Sequence, residues 1–150
     1  MSQQQNITAY DGAATPVSHI FAAEGVTTVN GETVAVWREQ NPSLSYAAQG
    51  KVTMKKRKLP SGIYRVSCRV EIPVMESISG QNSAGYTAVP KVAFIDTDES
   101  VGYFNERGTP VSRRLVKQLA SNIRENISTS VAGVTAGPLA ELWDTLVMPT

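Results

Sequence analysis

Between Gln40 and Val70 the chain carries Lys51, Lys55, Lys56, Arg57, Lys58, Arg65 and Arg69 and not one acidic residue. These are half of the 14 lysines and arginines in a chain of 150 residues whose formal net charge is only +1. The positive charge is therefore local. A basic patch on a near-neutral protein suits a directed anionic partner, nucleic acid first. Spacing sharpens the reading. Lys51, Thr53, Lys55 and Arg57 recur at every second position, and so do Arg65, Ser67 and Arg69. That period places side chains on one face of a β-strand. A raft of ammonium, guanidinium and hydroxyl donors is suited to phosphate oxygens rather than to bond making.

Other chemistries find little support. The single histidine, His19, has no second histidine, cysteine or carboxylate near it in sequence, so a surface or turn position is expected. The single cysteine, Cys68, rules out an intramolecular disulfide and a cysteine-based zinc site, and its apolar neighbours make it a small buried hydrophobe rather than a nucleophile. There is no Gly-rich phosphate loop and no Ser/His/Asp set. Asp96, Asp98 and Glu99 read as a polar loop, either plain or holding a structural cation. No catalytic residue, metal site, cofactor or small-molecule substrate is expected. The first residues show no charged-then-apolar leader, and no apolar run reaches membrane-spanning length, so a cytosolic, non-membrane protein is expected.

The elements that position the basic raft read as strands first and helices last, within one domain over residues 1–150: strands over about 6–96, helices over about 110–127 and 138–147. Asn6 to Tyr10 and Val17 to Ala22 are short strand candidates. Asn30-Gly31 between β-formers predicts a two-residue hairpin in which both central residues take positive φ. From Tyr64 the even positions, Val66, Cys68, Val70, Ile72 and Val74, are apolar, while Arg65, Ser67, Arg69 and Glu71 alternate with them. A three-residue loop Pro60-Ser61-Gly62, with Gly62 left-handed, places Leu59 opposite Ile63, Met54 opposite Cys68 and Arg57 opposite Arg65. A two-residue loop would pair apolar with charged side chains, so the register is fixed by the pattern. Arg57 facing Arg65 is unfavourable, by about 1 kcal/mol at most, until an anion such as phosphate joins them.

Met75 to Gly85 reads as a polar loop and Tyr86 to Asp96 as the last strand, interrupted by Pro90. Thr109-Pro110 starts a helix with Val111, Leu115, Leu119, Ile123 and Ile127 on one side. Arg113, Arg114 and Lys117 are its expected wet face. After a small-residue connector over Ser128 to Gly137, Pro138 opens a shorter helix with Leu139, Leu142, Trp143 and Leu146 apolar, Trp143 anchoring it to the sheet. Helices that follow a sheet cover its apolar face. One pair of this size leaves part of a five-stranded sheet bare, so an obligate homodimer is expected, with Leu115, Leu119, Ile123, Leu142 and Trp143 in its interface and core.

This order of elements, at this length and spacing, resembles the coat proteins of single-stranded RNA bacteriophages, the levivirus type. The resemblance spans nearly the whole chain and rests on the combination, since no short motif carries it. It implies an α+β fold: an N-terminal β-hairpin, a five-stranded antiparallel meander and two C-terminal helices packing across the sheet of a dimer partner. It also implies a capsid protein of the virion, assembled in the bacterial host cytoplasm, whose dimers form an icosahedral shell of three quasi-equivalent conformers. The loop at Met75 to Gly85 would lie near the symmetry axes. Genomic single-stranded RNA would lie on the inner sheet face, at Lys51, Thr53, Lys55, Arg57, Arg65, Ser67 and Arg69, with Thr87 and Lys91 from the last strand. Coat dimers of this kind also bind an RNA hairpin as translational repressors. The competing readings are a non-assembling dimeric RNA-binding regulator and a structural protein whose basic face meets another protein.

Overall fold

The computed structural model describes residues 3–78, 80–129 and 132–150. Met1 and Ser2 of the leader reading, Ser79 of the expected loop and Ser130 and Val131 of the helix connector lie outside the described residues. Six strands form one antiparallel sheet in chain order: β1 (Ile7–Tyr10), β2 (Ser18–Val29), β3 (Glu32–Glu39), β4 (Lys51–Lys58), β5 (Ile63–Met75) and β6 (Val92–Asn105). Helices α1 (Pro110–Arg124) and α2 (Pro138–Thr145) follow. No described helix is long and apolar enough to cross a membrane.

The two turns read from sequence form as expected. Asn30 (φ 51°) and Gly31 (φ 76°) join β2 to β3, with Val29 opposite Glu32. Gly62 (φ 81°) closes the three-residue loop, and the Leu59 and Ile63 backbones bond at 2.8 Å. Met54 then faces Cys68 and Arg57 faces Arg65. The first two strand candidates differ in detail. β2 is one strand of 12 residues rather than two pieces, so it serves both the N-terminal hairpin and the five-stranded meander β2–β6. A bulge between Ala23 and Gly25 (φ 139°) inserts Glu24 and shifts the alternation, which keeps Ala23 and Val26 on the same face.

The core lies between one sheet face and α2. Trp37, Val66 and Leu142 are fully buried, with Met54, Phe104, Trp143 and Met148 packed around them. The indole N–H of Trp37 donates to the Gln5 carbonyl at 2.8 Å, and Gln4 N–H donates to the Thr150 carbonyl at 2.8 Å, so both ends of the chain close over this cluster. Gly102 is required there: a Cβ would stand 2.6 Å from the Phe104 ring. Helix α2 ends at Leu146 in the left-handed region (φ 57°), whose carbonyl accepts from Lys56 Nζ at 2.9 Å, a cation at a helix C-terminus.

Helix α1 starts as predicted, with the Thr109 hydroxyl accepting from Ser112 N–H, but its orientation is the reverse of the expected one. Arg113 is buried, not on a wet face, and donates to the Asp144 and Asn105 carbonyls at 3.0 and 3.3 Å. Arg114 and Lys117 reach the buried Asp144 carboxylate at 2.8 and 3.2 Å. The charged side of α1 therefore faces α2, because Asp144 supplies there the counter-charge that a wet face would find in water. Its apolar stripe points away from the chain.

Candidate nucleic-acid interface

Register decides which side chains share the basic face. On β4 and β5 it holds Lys51, Thr53, Lys55, Arg57, Arg65, Ser67 and Arg69, as the alternation requires. Lys56 and Lys58 of the same basic run belong to the opposite face, where Lys56 caps α2 and Lys58 meets Glu106 at 3.1 Å. The run of four is thus two pairs with different tasks.

The raft is layered. Thr53 and Ser67 are only 6% and 1% exposed and form a polar floor. The long side chains above them are the ones that meet solvent, with Arg69 at 44%, Lys55 at 39% and Lys51 at 38%. Among the described residues Thr53 Oγ1 has no hydrogen-bond partner. Successive cations on a strand lie ~6.8 Å apart. Arg57 is exposed, faces Arg65 across the ladder, and makes no ion pair among the described residues.

Thr87 and Lys91 do not join this face as strand residues. β6 begins at Val92, and both lie in the preceding loop, where the Lys91 carbonyl accepts from Glu76 N–H. The same shift moves the acids. Asp96, Asp98 and Glu99 are strand residues rather than a loop, and alternation sends Asp96 and Asp98 to one face and Glu99 to the other. Asp98 meets Arg124 at 3.4 Å. No group of three or more His, Cys, Asp or Glu among the described residues is placed to hold a metal ion.

Glu99 is instead a member of the basic face, bonded to Arg69 at 3.0 Å and Arg65 at 3.5 Å. The Arg69 hydrogen bond holds its carboxyl below the usual carboxylate range. Glu71 approaches Lys51 at 3.7 Å and Glu32 approaches Lys55 at 4.0 Å. Tyr103, opposite Arg65 and 62% exposed, also stands on this face. Arg38 on β3 stacks over the Tyr46 ring at 4.0 Å beside it. Sequence reading missed Glu99 and Tyr103 because it ended the last strand at Asp96. Carrying the alternation on to Asn105 would have found both.

The opposite face is apolar and incompletely filled. Phe21, Val52, Met54, Val70 and Ile72 line a cleft of about 880 Å³ whose rim includes Leu139 of α2. Cys68 faces this cleft, and burial pushes its thiol up to about 11, which leaves it without nucleophilic character at neutral pH. Leu115, Leu119 and Ile123 on α1 are 59%, 52% and 79% exposed, while Leu142 and Trp143 on α2 are buried. At the edge of the cleft His19 is not a free surface residue. Its Nδ1 lies 2.7 Å from Glu39 and its Nε2 3.7 Å from Asp11.

The levivirus coat protein family matches residues 2–136 of the chain. Among solved structures, the virus-like particle of bacteriophage ESE058 is similar at 19% identity over 99% of both chains, with a TM-score of 0.70. The virus-like particle of bacteriophage EMS014 gives 22% identity over 98% of this chain and 99% of that one, TM-score 0.69. The bacteriophage GA protein capsid gives 18% over 95% and 94%, TM-score 0.55. Comparison with curated protein sequences finds no match.

Proposed function

The chain belongs to the levivirus coat protein family and is a capsid protein of the virion; from that premise we propose that it works as an obligate homodimer that builds an icosahedral shell and holds single-stranded RNA on its basic sheet face. The observation that carries the RNA reading is the register at Arg57 and Arg65. Two guanidinium groups face each other across the ladder, Arg57 without an ion pair among the described residues, and a phosphate between them removes the repulsion. Lys51, Lys55 and Arg69 extend the track along the strands, Thr53 and Ser67 support it from below, and Tyr103 offers a ring face to an unpaired base. Thr87 and Lys91 approach RNA only from the loop before β6.

The dimer reading is supported by two unfinished apolar surfaces in one chain. The α1 stripe is exposed, and the cleft on the sheet is open. A partner's α1 laid into the cleft would bury both, on a floor of Phe21, Val52, Met54 and Val70, while Leu142 and Trp143 belong to the core of the chain's own fold. Contiguous apolar surfaces of this kind mark association sites. The edge of β6, 14 residues long, is a third surface that a copy of the chain can extend.

The test of the RNA reading is the triple substitution K55A/R57A/R65A. Particles of the variant are expected to lose most of their 260 nm absorbance relative to 280 nm. Particles with wild-type RNA content would contradict the assignment of RNA to this face.

A further inference from the structure

The basic face carries its own anion. Glu99 stands opposite Arg69 in the β5–β6 ladder, and its two carboxylate oxygens reach different guanidinium groups, Oε2 to Arg69 Nη2 at 3.0 Å and Oε1 to Arg65 Nη2 at 3.5 Å. Arg65 and Arg69 flank Ser67 on one strand, and the Glu99 carboxylate bridges the two. Glu71 and Glu32 stay further off, Glu71 at 3.7 Å from Lys51 and 4.0 Å from Arg69, Glu32 at 4.0 Å from Lys55. The Glu99 side chain is 27% exposed and the two arginines 31% and 44%, so the bridge is open to solvent and to competitors.

We propose that Glu99 is a displaceable internal counter-ion, a tethered carboxylate that holds the phosphate position between Arg65 and Arg69 until an RNA backbone takes it. This rests on the RNA-binding reading of the face. A solvent-exposed ion pair is weak and therefore exchangeable. A polyanion that also engages Arg57 and Lys55 gains counterion release that a lone phosphate does not. Glu99 thus sets a threshold: an isolated anion leaves the bridge closed, and a continuous strand opens it. It also offsets the charges of Arg65 and Arg69 on the empty face, while Arg57 keeps no carboxylate partner among the described residues.

The experiment is fluorescence anisotropy of a labelled oligouridylate titrated with the full-length chain over a salt series, for wild type, Glu99→Gln and Glu71→Gln. Glu99→Gln is expected to bind about three- to tenfold tighter at low salt, with a log K against log salt slope steeper by about 0.7, one further counterion. Glu71→Gln is expected near wild type, and inorganic phosphate is expected to compete better against the Glu99→Gln complex than against wild type. Glu99→Thr, a second neutral variant with good strand propensity, should move in the same direction if Glu99→Gln folds poorly. Wild-type binding that neither neutral variant strengthens overturns the counter-ion role alone. Absence of binding by every form at every salt concentration overturns the RNA-binding reading and this inference with it.

Discussion

Helix α2 buries Leu142 and Trp143 against the sheet of its own chain, whereas α1 holds Leu115, Leu119 and Ile123 out in solvent. Both helices carry an apolar stripe at helical spacing, so periodicity does not separate them. Their polar sides do. Arg113, Arg114 and Lys117 of α1 converge on Asp144 at the end of α2, and this buried cluster fixes α1 with its charges inward and its apolar stripe outward. A monomeric amphipathic helix has the reverse orientation. One helix thus completes the fold of its own chain, and the other keeps exposed the stripe proposed above to meet a second chain.

The largest expected effect tests the outward helix. Leu119→Asp with Ile123→Asp should abolish self-association, read as monomer in sedimentation velocity, while circular dichroism stays native. Retained oligomers would detach the stripe from the interface. On the inward helix, Leu142→Ala should cost about 2–5 kcal/mol in urea unfolding, the range for a buried leucine that leaves a cavity. Leu119→Ala, measured in a chain kept monomeric, should cost at most about 0.5 kcal/mol. Equal costs at the two positions would erase the distinction between the helices. Asp144→Ala breaks the tie between them. It leaves Arg114 and Lys117 without the carboxylate they share, while Arg113 keeps its bonds to backbone carbonyls, at a cost of about 3 kcal/mol. Proteolysis should then cut the chain after Arg124 sooner than in wild type.

The smallest effect lies in the N-terminal hairpin. The Glu39 hydrogen bond raises the His19 pKa above its ordinary 6.5, so its contribution to stability is complete below that value and is lost as pH rises through the higher folded value. Asp11 has the opposite sign. Backbone N–H donors of Val17 and Ala13 lower its pKa from 3.8, so its contribution is present above that value and fades as pH falls through the lower one. The hairpin is best tied between those limits. Wild-type melting temperature should fall by a few degrees from mildly acid to mildly alkaline pH, and His19→Gln should flatten the slope. An unchanged slope would contradict the role given to His19.

Local rules made the β4–β5 hairpin legible before the structure. Alternation and a left-handed Gly62 determine its register, and with it the basic face. The Asn30-Gly31 turn was legible for the same reason. What stayed hidden depended on partners distant in sequence. Asp144 explains Arg113, Arg114 and Lys117, and Glu39 explains His19, yet each lies 20 or more residues away. β6 was cut short because an edge strand exposed on both faces tolerates Asp96, Asp98 and Glu99, which read as loop residues. That one boundary concealed Glu99 and Tyr103 and misplaced Thr87 and Lys91. The β2 bulge at Gly25 broke the period in the same way.

Expression of the chain in bacteria followed by size exclusion, with absorbance at 260 and 280 nm and electron microscopy on the peak, tests assembly and RNA content together. The expected result is round particles of megadalton size that carry RNA. A stable dimer that forms no particles across salt concentrations and with added RNA, or particles free of nucleic acid, would contradict the proposed function.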